Sequence, residues 1–390
     1  MSPSSRAWLE RRLLVISRVG LTAGPLFLLG VYLVVTIQVG AFALDFHHAF
    51  WPAGQDLLHG RTPFPPATPA VYSSAHAFVY PPASALLLAP LTLLPRSAGE
   101  VVFTVLLLAA TVAALRALGV RDWRCYGAAL LWFPVINGLQ SANLSLLFLL
   151  ALALAWRYRD RVWIVAIVMA LAIAAKLFLW PMLAWLLLRR TRAGVATIVL
   201  TMVLTLAGWL VVGFGEIPHF LKLVHGVTGA EQDFGYTPFA LARGLGVSTL
   251  GSHVVGYGLG LAVLGASIVA GRREDGERRS FCLAIAASLL LSPIVWPHYL
   301  ALLLVPLALA RPRLSGLWFL GLPLILCLPP HFDGSPPAPW RIALALGVSA
   351  LIFRAALVDP APGEAMRAPA HARRERLPAS AGKRGALQRL

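Results

Sequence analysis

Carboxylates are scarce in this chain: its 390 residues hold 16 Asp and Glu against 33 Lys and Arg. Charged residues of both signs make up 13% of the total, where a soluble globular domain carries roughly 25%. So little charge excludes an ordinary water-soluble protein. Cysteine is rarer still. Cys125, Cys282 and Cys327 are odd in number, show no CxxC spacing and lie in or beside apolar runs. That excludes a disulfide framework, and the three read as small buried residues. No HxxxH or HExxH spacing occurs, so no metal is expected. The P-loop, the GxGxxG fingerprint after a strand and the GxSxG elbow are also missing. Soluble nucleotide chemistry therefore has no recognisable seat, and no cofactor is expected.

What is present is hydrophobic sequence, 58% of the chain. It comes in repeated runs separated by short arginine clusters, the pattern of a polytopic membrane protein. The net charge of +17 resides in those clusters, not on an aromatic-laced polar face. It reads as cytoplasmic anchoring and not as nucleic-acid binding. Ala41-Phe42-Ala43 fits a signal-peptidase site, but the run Val19–Leu44 is too long for a typical signal core. It is expected to be an uncleaved first span, about 19–42, with the amino terminus inside.

About twelve spans are expected, several short or broken, among them 124–139, 141–156 and 162–175. Short spans imply a bundle whose broken helices line a cavity. Residues 83–95 barely reach across a bilayer. If they stay in the outer leaflet, all but six of the 33 Lys and Arg fall on the cytoplasmic side. The organisation expected is a transmembrane domain over 1–358, with an ordered first outer loop at 45–82 and a second long one at 214–240. A disordered basic cytoplasmic tail follows at 359–390, able to touch anionic lipid.

The remaining polar residues gather on the outer side. The first loop holds Asp45, His47, His48, Asp56, His59, Arg61 and His76, and ends in FVYPP at 78–82. The turn NGLQSANLS supplies Asn137, Gln140, Ser141 and Asn143. Lys176 stands between two apolar half-runs, and His298 follows Trp296-Pro297. The loops at 214–240 and 329–340 add Glu216, His219, Lys222, His225, Glu231, Asp233, His331 and Asp333. An outward-facing polar cavity above an apolar bundle accounts for this one-sidedness. Lys176 reads as a functional charge at membrane depth or as a lysine snorkelling to the interface. His298 reads equally as a site residue or as part of an interfacial aromatic belt. Asp45 is either an ordinary acid at a helix end or a general base in a partly dry cavity.

The order of the motifs resembles glycosyltransferase family 87. Asp45-Phe46 comes first, then FVYPP with APL and LLP at 89–95. GLQSANLSLL (138–147) follows, then Lys176 to Pro181 with LLLRR, then SPIVWPHYLALLLVP (292–306). The similarity runs over about residues 40–310. Members include actinobacterial polyprenol-phosphate-mannose-dependent α-(1→2)-mannosyltransferases. The resemblance implies a GT-C fold, an all-α multispanning bundle with an ordered first extracytoplasmic loop. It implies a polyprenyl-phosphate sugar donor, a glycolipid or lipoglycan acceptor and inverting transfer at the extracytoplasmic face of the cell membrane. Asp45 matches the family's catalytic base. Lys176 and His298 match its polar elements and are expected at the donor phosphate, with Arg61 a further candidate. Gln140, Asn143 and Tyr80 are expected at sugar or acceptor, with plain packing roles equally open. The same scaffold would serve an arabinofuranosyl or glucosyl donor. A polyprenyl-lipid flippase is the rival of another class, though no internal repeat of the transporter kind is visible.

Overall fold

A computed structural model describes residues 19–74, 77–327 and 335–358, together with Trp8, Arg12, Val15 and Ser17. The expected tail at 359–390 and His76, His331 and Asp333 lie outside the described residues. Every regular element among those described is helical.

Four helices are long and apolar enough to cross a bilayer alone: Arg96–Ala117, Thr191–Val212, Thr249–Gly271 and Pro339–Val358. At 1.5 Å per residue, helices of 20 to 23 residues reach about 30 Å or more, the thickness of the hydrocarbon core. Their outer faces are greasy. Val199, Met202, Leu206 and Leu210 are exposed on one, and Leu250, Val254 and Leu261 on another. Water does not tolerate such continuous apolar faces; this is a membrane protein.

A fifth crossing exists if Phe133–Gln140 and Ser145–Arg157, bent by 119° at their junction, count as one span. The other apolar helices run only 10–17 residues: Ala23–Gln38, Pro82–Leu93, Val162–Ala175, Pro297–Ala310 and Gly316–Leu326. By length, then, the structure supports four or five crossings, short of the twelve expected from hydropathy. Prolines account for much of the fragmentation. Pro82, Pro134, Pro297 and Pro339 each sit in the first turn of a helix, where the missing N–H costs nothing. The stretch 124–139 is thereby divided into Trp123–Leu130 and Phe133–Gln140.

Small residues bring the bundle together. Thr249–Gly271 lies along Glu277–Leu291, and a Cβ on Gly260 would fall 2.6 Å from Leu291 Cδ2. Ser267 Oγ donates to the carbonyl of Ser280 at 2.8 Å on the same seam. Close backbone approach of this kind drives helix association where lipid removes the hydrophobic incentive.

The two long loops are largely helical. The first contains Trp51–Leu58 and Pro69–Tyr72, the second a 15-residue helix, Ile217–Glu231. They are stitched together by Thr62 Oγ1 donating to Glu216 Oε2 at 3.0 Å and by His219 Nε2 against the Pro65 carbonyl at 2.9 Å. Phe64 packs between Trp209 and Phe220, with ring centroids 5.8 and 5.0 Å away. Residues 82–93 form a short helix lying against Val162–Ala175 and Thr191–Val212. There Ser84 Oγ donates to the Ala175 carbonyl at 2.6 Å. That bond satisfies one of the acceptors orphaned where the helix before Lys176 ends.

Candidate functional site

A cavity of about 390 Å³ opens between the start of the first loop, the bent helix pair and the segment 294–298. Its lining brings Asp45, Tyr80, Gln140, Asn143, Lys176 and His298 together, with Asn137, Ser141, Glu231 and Trp296 beside them. Residues far apart in sequence thus meet in one hollow. Arg61 is not among them. It is exposed and held by Asp56, with N–O distances of 2.6 and 2.8 Å.

Asp45 is fixed by backbone and side chain alike. The amides of Ala43 and Asp45 donate to the carbonyls of Gln140 and Ser141 at 2.6 and 2.8 Å. Those carbonyls end the helix Phe133–Gln140 and would otherwise lack intrahelical partners. Asn143 Nδ2 donates to Asp45 Oδ2 at 2.5 Å and to the Tyr80 hydroxyl at 3.3 Å. Its Oδ1 accepts from the Ser145 amide at 2.9 Å, which fixes the amide's orientation. Two alanines, Ala43 and Ala142, adopt left-handed φ of +54° and +51° at this junction. L-residues seldom do so, and such strain clusters where function imposes geometry. Burial raises the Asp45 carboxyl to about 6, against the lowering effects of the Asn143 bond and the Lys176 ammonium. The group is therefore mostly carboxylate at pH 7 and reaches balance with the acid about one pH unit lower.

Lys176 follows the last turn of Val162–Ala175 in an extended conformation. Its ammonium donates to the Tyr299 hydroxyl and sits 4.6 Å from the ring centroids of both Tyr80 and Tyr299. Two aromatic faces hold a cation in place of water.

Gln140 Nε2 donates to the Ala41 carbonyl, and its Oε1 accepts from Asn137 Nδ2 at 3.2 Å. His298 Nδ1 lies 3.3 Å from Asn137 Oδ1. The amides of Gln140 and Asn143 are thus engaged within the protein. Of the two adjacent histidines, His47 finds a place outside the cavity lining: its Nδ1 meets Glu100 Oε1 at 2.6 Å and its Nε2 meets Arg96 Nη1 at 3.1 Å. Sequence reasoning assigned no role to Tyr299, Asn137 or Glu231. Tyr299 adjoins His298, and Glu231 is the buried acid of a loop in which no motif was legible.

A second cleft, of about 570 Å³, lies across the segment 294–296 from the polar cavity. Val295 lines the cleft while Ile294 and Trp296 line the cavity. Its walls are almost wholly apolar, with Leu241, Val255, Leu259, Leu289 and Phe353 among them. The Tyr236 amide donates to the Val295 carbonyl at 2.8 Å, holding the partition in place.

The family model of glycosyltransferase family 87 matches residues 78–293. No curated protein and no solved structure matches the chain.

Proposed function

This chain belongs to glycosyltransferase family 87, and on that premise we propose that it transfers a sugar from a polyprenyl-phosphate carrier to a glycolipid or lipoglycan acceptor. The donor sugar in this reading is mannose, and transfer takes place on the extracytoplasmic side of the cell membrane with both termini cytoplasmic. The observation that carries the proposal is the cavity that sets the Asp45 carboxyl near the caged Lys176 ammonium, one partition away from an apolar cleft. A lipid-linked donor has the matching parts: an apolar chain, an anionic phosphate and a polar sugar.

The step follows from the chemistry of those groups. An acceptor hydroxyl gives its proton to an Asp45 oxygen as its own oxygen bonds the anomeric carbon. The bond from that carbon to the phosphate oxygen breaks, and its electron pair leaves on polyprenyl phosphate. Attack opposite the leaving group inverts the anomeric configuration. Phosphate departs readily, so the second carboxyl that glycoside hydrolysis uses as an acid is unnecessary. What it needs is a fixed positive charge, which Lys176 offers. Tyr80 stands at the sugar through its ring or hydroxyl. Gln140 and Asn143 serve by holding their neighbours.

Membranes containing wild type or Asp45→Asn, supplied with radiolabelled polyprenyl-phosphate mannose and native glycolipids, test the reading. Loss of a general base costs roughly 10²–10⁴-fold, so transfer by the variant should fall in that range at equal expression. Equal transfer would remove Asp45 from the mechanism. Label moved intact across the bilayer, without transfer, would establish a flippase instead.

A further inference from the structure

Beside Asp45 and Lys176 the cavity also holds His298. It is buried, 6% exposed, and lines the cavity. Its Nε2 meets no hydrogen-bond partner among the described residues. Its Nδ1 belongs to a chain of amides whose direction can be worked out from one end. The Ala41 carbonyl can only accept, so Gln140 must turn its NH₂ toward it. Gln140 Oε1 then faces Asn137 and accepts from its NH₂ at 3.2 Å. That leaves Asn137 Oδ1 facing His298 Nδ1 at 3.3 Å. An amide oxygen can only accept, so the imidazole proton belongs on Nδ1. In the neutral ring Nε2 is then a bare lone pair, an acceptor without a donor.

We propose that the Ala41–Gln140–Asn137 relay fixes His298 in its Nδ1–H tautomer, so that Nε2 accepts a hydrogen bond from a hydroxyl of the donor sugar. This rests on the proposed transfer reaction and reassigns His298 within it. A phosphate oxygen is an acceptor and gains nothing from a lone pair; a sugar hydroxyl supplies the missing donor. Lys176 is left with the phosphate. Asn137 and Gln140 become positioning residues, acting on substrate through His298. Sites that hydrogen-bond a substrate hydroxyl strongly reject an analogue lacking it, because the site's own polar group is then left unpaired.

Two measurements test this independently. The first is ¹⁵N NMR of full-length, histidine-labelled protein in nanodiscs, with the His298 signals identified by their loss in His298→Gln. Nδ1 protonated and Nε2 bare is the expected result; a proton on Nε2 overturns the relay, whether or not transfer is ever observed. The second uses polyprenyl-phosphate mannose and its monodeoxy analogues. One analogue should lose roughly 10- to 100-fold in wild type, and that loss should vanish in His298→Phe while losses at other positions persist. Equal losses in both proteins overturn the proposal. Asn137→Asp distinguishes the two roles further. A carboxylate at Nδ1 favours imidazolium and turns Nε2 into a donor, so transfer should fall; unchanged or faster transfer would return His298 to the phosphate. If wild type transfers from no polyprenyl-phosphate sugar, the proposed function fails, and the tautomer result still decides the relay.

Discussion

In the proposed transfer Asp45 must be a carboxylate when the acceptor arrives, and burial works against that. Raised to about 6, the group is mostly ionised at pH 7 yet basic enough to take a proton. The sign of the pH dependence follows. In that reading transfer should fall about tenfold per pH unit below pH 6, as protonation removes the carboxylate. Asn143→Leu removes a hydrogen bond that favours the carboxylate. The acid limb of the rate profile should then shift to higher pH in the variant, with less activity at pH 7. An unshifted limb would assign the titration to another group. At this scale Asp45, Lys176 and His298 stood out in the sequence, because each interrupts apolar sequence, and they line one cavity. It was silent on their partners. Asn143 lies 98 positions from Asp45, and Tyr299 lies 123 from Lys176; no local pattern links residues so far apart. Arg61 lies outside the cavity lining. A cation in a polar loop is readable, but not its local ion pair with Asp56.

At the scale of the element, the turn between Phe133–Gln140 and Ser145–Arg157 does most to build the site. It sends Asn143 to Asp45 and bonds the first loop through two carbonyls. Its Ala142 is fully buried with φ at +51°. A β-branched residue in that conformation is a steric outlier, and the added methyls would enter a fully buried site. Ala142→Val should lower stability by about 1–3 kcal/mol, while Ala142→Gly should be near neutral, relief of strain being offset by added freedom in the unfolded chain. Thermal unfolding in detergent reads both; equal behaviour of the two variants would mean the turn is not strained. Hydropathy foresaw apolar helices on either side of this turn but not the 119° bend. A bend depends on which polar groups the neighbours satisfy, and periodicity carries no such information.

At the scale of the molecule, arginine distribution argues for orientation. The clusters at Arg157–Arg161, Arg189–Arg192 and Arg272–Arg279 meet at one end of the bundle. There Arg190 pairs with Glu277 at 2.8 Å and Asp160 at 3.0 Å, and Arg189 donates to the Arg273 and Glu274 carbonyls. The native cysteines are free and buried, so they make a quiet background for labelling. A membrane-impermeant maleimide added to intact cells should label Arg61→Cys and leave Arg273→Cys unlabelled until the membrane is opened. The reverse pattern would invert the topology and place the cavity on the cytoplasmic face. All-helical architecture and membrane residence were legible from composition alone. The number of crossings was not, because hydropathy registers an apolar segment without revealing whether it is straight.

The amides of Ala43 and Asp45 also act as a clock. Each is locked to a carbonyl at the end of a helix, so its proton can exchange with deuterium only when the loop's first residues lift off the bundle. Exchange as slow as that of the buried helices would mean that the carboxylate and its helix open together or not at all. The lifetime of the assembled site would then equal the lifetime of the fold itself.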